Sequence, residues 1–91
     1  AGYFVVRDLT GHGIGRTIHE PPTIPNEFDR RFSDVLREGL VFTIEPLIAT
    51  GTSRTTTLKD GWTVRTRDRS RAAHYEHTVL VTKDGARLLT A

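Results

Sequence analysis

The chain opens on Tyr3-Phe4-Val5-Val6-Arg7, aromatic and β-branched, between Gly2 and the polar stretch Asp8 to Gly11, which predicts a short buried strand. Gly11-His12-Gly13-Ile14-Gly15 then reads as a glycine-rich turn of permissive backbone. Pro21, Pro22 and Pro25 follow, and their missing amide donors fit neither a helix interior nor a central strand, so an ordered connection or loop is expected. From Glu27 to Glu38 the apolar residues Phe28, Phe32, Val35 and Leu36 recur at helical spacing. With Asn26 as candidate cap and Gly39 as stop, they predict a short helix.

Leu40 to Ile44 predicts a further strand ending at Pro46. Period-two geometry places Leu40, Phe42 and Ile44 on one face and Val41, Thr43 and Glu45 on the other. After the polar run Thr50 to Thr57, Asp60-Gly61 marks a turn into an alternating strand over Trp62 to Thr66. The longest strand is expected over Ala73 to Thr82, with Glu76, Thr78, Leu80 and Thr82 on one face and Tyr75, His77, Val79 and Val81 on the other. Lys83-Asp84-Gly85 turns it into a final strand, Ala86 to Leu89. The pattern is an antiparallel, hairpin-rich β set with little helix and no internal repeat.

Composition narrows this picture. Ninety-one residues at 36% apolar content make one small domain at most, burying roughly 60 to 65% of the unfolded surface. The absence of Cys excludes disulfides and thiolate-ligated metals and favours a reducing compartment. No apolar run approaches the roughly 18 to 20 residues of a membrane-crossing helix, so no membrane partner is expected. Thirteen Lys and Arg stand against eleven Asp and Glu. The only basic cluster, Arg65 to Arg71, is interrupted by Asp68 and has Trp62 alone beside it, too thin a case for nucleic-acid binding. The first residue is Ala, and an apolar stretch follows at once, as if the chain began inside a larger unit.

The candidate chemistry lies in four His and two Glu, since imidazole with carboxylate is the ligand set for Mn, Fe, Co and Zn. His12, between two glycines, is either a turn histidine or a group that a ligand can approach closely. His19, beside Glu20 and the prolines, reads equally as a loop residue. Glu45 ends an apolar strand, where its carboxylate either reaches solvent or needs a cation or proton, because an unpaired charge there is costly. The same alternatives hold for Glu76, and two such carboxylates with one His make a plausible metal cluster. His77, on the opposite face, reads as a hydrogen-bonded structural histidine, and His74 as a surface residue. Other templates fail. The glycines at 11, 13 and 15 lack dinucleotide spacing, there is no phosphate-loop lysine, and no serine sits in a nucleophile elbow.

Five ordered motifs, Gly11-His12-Gly13-Ile14-Gly15, His19-Glu20-Pro21, Phe42-Thr43-Ile44-Glu45-Pro46, Asp60-Gly61-Trp62-Thr63 and Tyr75-Glu76-His77-Thr78, together resemble the C-terminal half of the type I methionine aminopeptidases, within the M24 pita-bread metallopeptidases. The resemblance runs from Gly2 to about Thr90. Prolidase-like and creatinase-like enzymes share the His and Glu-Pro motifs, whereas Asp-Gly-Trp-Thr and Glu-His-Thr resemble the methionine-specific branch, and the long helical insertion of the type II branch is absent. The resemblance implies an α/β (α+β) class, with residues 1–91 forming the C-terminal part of the catalytic domain, mostly antiparallel sheet, and the N-terminal half absent.

It further implies two divalent ions (Co, Mn, Fe or Zn), with His12, Glu45 and Glu76 as ligands and Glu76 bridging. Glu45 would also be the general base, His19 would hydrogen-bond the scissile amide and the developing tetrahedral intermediate, and Ile18 and Trp62 would border the methionine pocket. Ile18 stands where the family often has an aromatic residue, and Asn26 to Arg37 is more charged than the family's usual connection. The implied activity is removal of the initiator methionine from nascent polypeptides, in the cytoplasm, by an enzyme monomeric when complete, with a ribosome-proximal place of action left open. Because the family's two aspartate ligands and a further histidine lie in the other half, the 91-residue chain alone is expected to be inactive. A non-catalytic peptide- or protein-binding member of the same fold, and an Xaa-Pro dipeptidase, remain the alternatives.

Overall fold

Strand registers decide where each motif ends up. The computed structural model describes residues 1–91. It contains ten short strands and no helix: β1 (Phe4–Val5), β2 (Gly11–Gly13), β3 (Glu20–Ile24), β4 (Val41–Ile44), β5 (Leu47–Ala49), β6 (Thr55–Thr57), β7 (Val64–Thr66), β8 (Ala72–His74), β9 (His77–Thr82) and β10 (Gly85–Leu88). They form a five-stranded sheet in the order β10-β9-β4-β2-β3, a three-stranded sheet β1-β5-β8 and a two-stranded ribbon β6-β7. Every pairing is antiparallel.

The two larger sheets are joined by one interrupted hairpin. Ile44 pairs with His77 where β4 ends and β9 begins, and Leu47 pairs with His74 where β5 begins and β8 ends, so the register runs unbroken across the gap. The expected strand over Ala73 to Thr82 is therefore two strands, parted at Tyr75-Glu76. The physical reason stands opposite. Pro46 offers no amide to the ladder, and the chain bends there into the second sheet, leaving only the Tyr75 amide donating to the Pro46 carbonyl at 3.2 Å.

Three further expectations change in the structure. Gly11 to Gly13 is not a turn but strand β2, set between β4 and β3. A Cβ on Gly11 would strike the Thr43 carbonyl oxygen and one on Gly13 the Pro21 carbonyl oxygen, so glycine is what permits this close approach. The proline segment is not a loop but strand β3, at the edge of the sheet, where missing amides are tolerated. Its register skips between Thr23, opposite His12, and Glu20, opposite Gly13, and Pro21 and Pro22 occupy that irregularity.

The helix expected over Glu27 to Glu38 does not form. Asp29 instead takes the Arg31 amide (3.0 Å) and guanidinium (2.6 Å), closing a local turn that competes with the helical ladder. The apolar stripe also finds little to pack against, since Phe28 is 88% and Val35 71% exposed. A helix of that length is marginal without such packing. The polar run Thr50 to Thr57 also gains a strand, β6, held by its pairing with β7 and by Asp8, whose carboxylate accepts from the Thr55 amide (3.2 Å) and hydroxyl (2.8 Å).

Strands also lie where expected within Tyr3 to Arg7, Leu40 to Ile44 and Trp62 to Thr66, each shorter than expected, and β10 starts one residue early, at Gly85, and ends at Leu88. The first is not the buried strand its composition predicts: Phe4 is 46% exposed, and only Val6 beside it is buried. Asp60-Gly61 turns as expected. Asp60 accepts from the Trp62 and Thr63 amides, both at 2.9 Å, and Gly61 takes a positive φ of 70°. The core is small, centred on Val6, Phe42, Ala49 and Val79. The chain exposes 7190 Å². A closed monomer of this mass would expose about 5300 Å². Large apolar side chains therefore remain on the surface.

Candidate metal centre

The gap between the two sheets is where the carboxylates gather. Continuing the register from Ile44–His77 to Leu47–His74 sets Glu45 opposite Glu76. Like charges directly across a strand pair repel, and the Glu45 side chain is only 15% exposed, so the arrangement needs positive charge nearby. Period-two geometry places Thr43, Glu45 and Leu47 on one face of their strand, with His74, Glu76 and Thr78 facing them. The expected separation of Glu45 from Phe42 holds: Thr43 donates its hydroxyl to Glu45 Oε1 at 2.8 Å, while Phe42 turns into the core.

His12 reaches the same point from β2. Its amide donates to Thr43 Oγ1 at 3.0 Å, which ties β2 to the strand that ends at Glu45. Its Nδ1 lies 3.0 Å from the Gly13 carbonyl oxygen, which can only accept, so the proton resides on Nδ1. Nε2 lies 3.0 Å from Glu45 Oε1. A bare Nε2 and a carboxylate oxygen at that distance set lone pair against lone pair unless a proton or a cation supplies charge between them. Orientation of one ring nitrogen by a backbone carbonyl, freeing the other, is also how histidine ligands are commonly held.

Glu76 completes the group. One ligand atom from each of His12, Glu45 and Glu76 lies within 4.8 Å of the others. An imidazole with two carboxylates, mutually this close and short of positive charge, fits a borderline divalent cation. Asn26, expected as a helix cap, has another use: its amide group donates to the Leu9 carbonyl (3.2 Å) and the Glu45 carbonyl (3.3 Å), pinning the end of β4.

A cleft of about 370 Å³ opens over His12 and Glu45, lined also by Asp8, Leu9, Thr10, His19, Leu47 and His74. The structure thus brings His19 to the site, its ring centroid 4.2 Å from that of His12 at a 58° tilt. Ile18 and Trp62 are not brought there. They are 69% and 87% exposed, with Trp62 on the turn of the β6-β7 ribbon. His77 sits away from the cleft, its ring between Thr90 Oγ1 (2.9 Å) and Tyr75 Oη (3.1 Å).

His74 is exposed, as expected, but it is not remote from the site. It lines the cleft with Nε2 3.4 Å from Glu45 Oε2 and 3.9 Å from Glu76 Oε2. The alternation that grouped Glu76 with Thr78 extends back two residues to His74, and that signal was present in the sequence. Its Arg- and Ala-rich flanks obscured it, because an edge strand needs no apolar neighbours to be ordered.

One histidine and two carboxylates gathered at a sheet junction suit a divalent cation. Residues 1–83 match metallopeptidase family M24, and the chain belongs to that family. Divalent metal ions are part of that family's chemistry. Among its relatives are the methionine aminopeptidase of Escherichia coli K12, 49% identical over 89 residues, covering 98% of this chain and 34% of that protein, and methionine aminopeptidase B of Synechocystis sp., 49% identical over 90 residues, covering 99% and 33%. The solved structure of methionine aminopeptidase from Rickettsia prowazekii superposes with a TM-score of 0.90 at 50% identity, covering 99% of this chain and 37% of that one. That from Thermotoga maritima gives 0.90 at 48%, covering 98% and 36%. The fold is accordingly part of the pita-bread architecture, and the chain spans about a third of the length of the curated relatives it matches.

Proposed function

We propose that the polypeptide carrying this chain removes N-terminal methionine from peptides and nascent proteins by metal-dependent hydrolysis. In this reading two divalent ions are held in part by His12, Glu45 and Glu76. The observation that carries it is the convergence of His12 Nε2 and Glu45 Oε1 at 3.0 Å, with Nδ1 already committed to a backbone carbonyl. Bound ions supply Lewis acidity, polarising the scissile carbonyl and acidifying water.

The chain's own residues do the rest. Glu45 Oε1 accepts from Thr43 and faces His12 Nε2, so the lone pair open to the cleft is on Oε2. There it takes a proton from the attacking water and returns it to the leaving amine, a general acid–base role. His19 lines the same cleft and donates to the scissile amide oxygen as negative charge develops on it. A cytoplasmic site of action and a monomeric enzyme go with this reading.

The test is hydrolysis of Met-Ala peptides by the polypeptide at its native length, before and after chelation and with Mn²⁺, Co²⁺, Fe²⁺ or Zn²⁺ restored. Metal-restored release of methionine supports the reading. Preferential cleavage of X-Pro peptides would replace it with a dipeptidase, and metal-loaded protein that binds peptide N-termini without cleaving them would replace it with a binding module.

A further inference from the structure

We infer that His74 is a positioning residue for Glu45: its Nε2–H faces Glu45 Oε2 and fixes the carboxylate with Oε1 turned toward His12. The inference rests on the metal-site reading above and adds a residue to it. The two oxygens of Glu45 have different surroundings. Oε1 accepts from Thr43 Oγ1 at 2.8 Å and lies 3.0 Å from His12 Nε2. Oε2 faces His74 Nε2 at 3.4 Å, and Glu76 Oε2 lies 3.9 Å from the same nitrogen. A nitrogen set between two carboxylate oxygens must present a proton rather than a lone pair, so the geometry selects the Nε2–H tautomer.

The contact is longer than a settled N–H···O bond, and the broad χ2 well of histidine allows the small ring rotation that closes it. The backbone around His74 is already fixed by the cross-strand pair with Leu47 and by the Tyr75 amide donating to the Pro46 carbonyl. Without this donor Glu45 would be anchored through one oxygen only and would swing about that anchor, presenting its ligand atom to a cation less often. Residues that orient a metal-binding side chain in this way typically affect affinity by about 10- to 100-fold. One lone pair of Oε2 remains open to the cleft, which leaves the proton-accepting role of Glu45 intact.

The experiment is calorimetric titration with Mn²⁺, at one pH, of the polypeptide at its native length and of its His74→Phe and His74→Gln variants. His74→Phe keeps a planar ring without a donor and should bind Mn²⁺ about 10-fold more weakly or worse. His74→Gln keeps an N–H donor at similar reach and should return to within about threefold of the parent, a rescue that a space-filling role would not produce. Should His74→Phe unfold, His74→Ala carries the same comparison, because this side chain is 43% exposed on an edge strand and leaves little packing to lose.

Equal Mn²⁺ affinity in parent and His74→Phe would overturn the inference, and so would equal weakening in His74→Phe and His74→Gln. A parent that binds no Mn²⁺ would overturn it together with the metal-site reading. The expected affinity pattern without methionine release would leave the inference standing and remove only the proposed peptide chemistry.

Discussion

The Glu45–Glu76 junction, where each residue is a weak signal, and the segment from Asn26 to Leu40, where helical spacing is a strong one, fare oppositely. At the junction, residues weak in isolation become a site because three strands bring them into register: β2 delivers His12, and the interrupted hairpin sets Glu45 against Glu76. In the segment, four apolar residues at helical spacing produce no helix, because Phe28 and Val35 meet little to pack on and Asp29 closes its own turn around Arg31. A pattern becomes structure where a partner is available to complete it. Spacing alone does not supply the partner.

The contrast can be attacked from its strongest side first. Glu76→Ala removes a ligand of the proposed centre, so metal affinity should fall by more than the roughly 100-fold that loss of an outer partner costs, measured by calorimetry on the native-length polypeptide. Unchanged affinity would mean that the carboxylates gather for another reason. His19→Ala should lower kcat for Met-Ala peptides by roughly 10²- to 10³-fold, the cost of one lost donor to developing charge, while metal content stays constant by elemental analysis. Loss of metal along with kcat would place His19 among the ligands instead.

Gly13→Ala probes the packing that delivers His12, since the new Cβ would overlap the Pro21 carbonyl oxygen. It should cost about 1 to 3 kcal/mol of stability, or more if the sheet cannot shift, visible as a lowered melting temperature. Phe28→Ser, in the other region, should change stability by no more than about 0.5 kcal/mol. A large loss there would reveal a packing partner for the segment and erase the contrast.

The smallest effect concerns the turn that Asp29 closes in that segment. The Arg31 guanidinium and amide hold the Asp29 carboxyl down at about 2, well below its ordinary value. A depressed carboxyl contributes fully above its unfolded value and loses that contribution as pH falls through the folded one. The Asp29–Arg31 turn should therefore persist as pH drops through the usual carboxylate range and open only near pH 2. NMR titration of the Asp29 carboxyl carbon reads this directly, and Arg31→Ala, which removes the guanidinium but keeps the residue 31 amide, should raise its midpoint part of the way toward the ordinary range.

Much of the fold was legible in the residues. Alternation located the strands around Phe42, Val79 and Ala86, Asp60-Gly61 located a turn, and the face carrying Thr43 and Glu45 was assigned correctly, because strand period is a local property of the chain. The strand identity of Gly11 to Gly13 was hidden. Glycine usually marks loose backbone, and here it marks two strands approaching too closely for a side chain, a fact that lives in Thr43 and Pro21. The proline strand was hidden for a similar reason, since prolines bar a central strand and are silent about an edge. His74 was missed because its importance comes from what stands across from it.

The sequence by itself determined which groups were available: imidazoles and carboxylates without thiols, short strands with a proline break after Glu45, and five motifs in an order that marks a family. Each follows from residue type and local spacing, which the chain carries wherever it folds. Tertiary structure alone decided that Glu45 faces Glu76, that the free nitrogen of His12 meets a carboxylate already held by Thr43, that His74 joins them, and that a helical pattern stays unwound. Those outcomes depend on cross-strand register and on which surfaces find partners. Both are fixed by contacts between residues far apart in the chain, and neighbouring sequence cannot encode them.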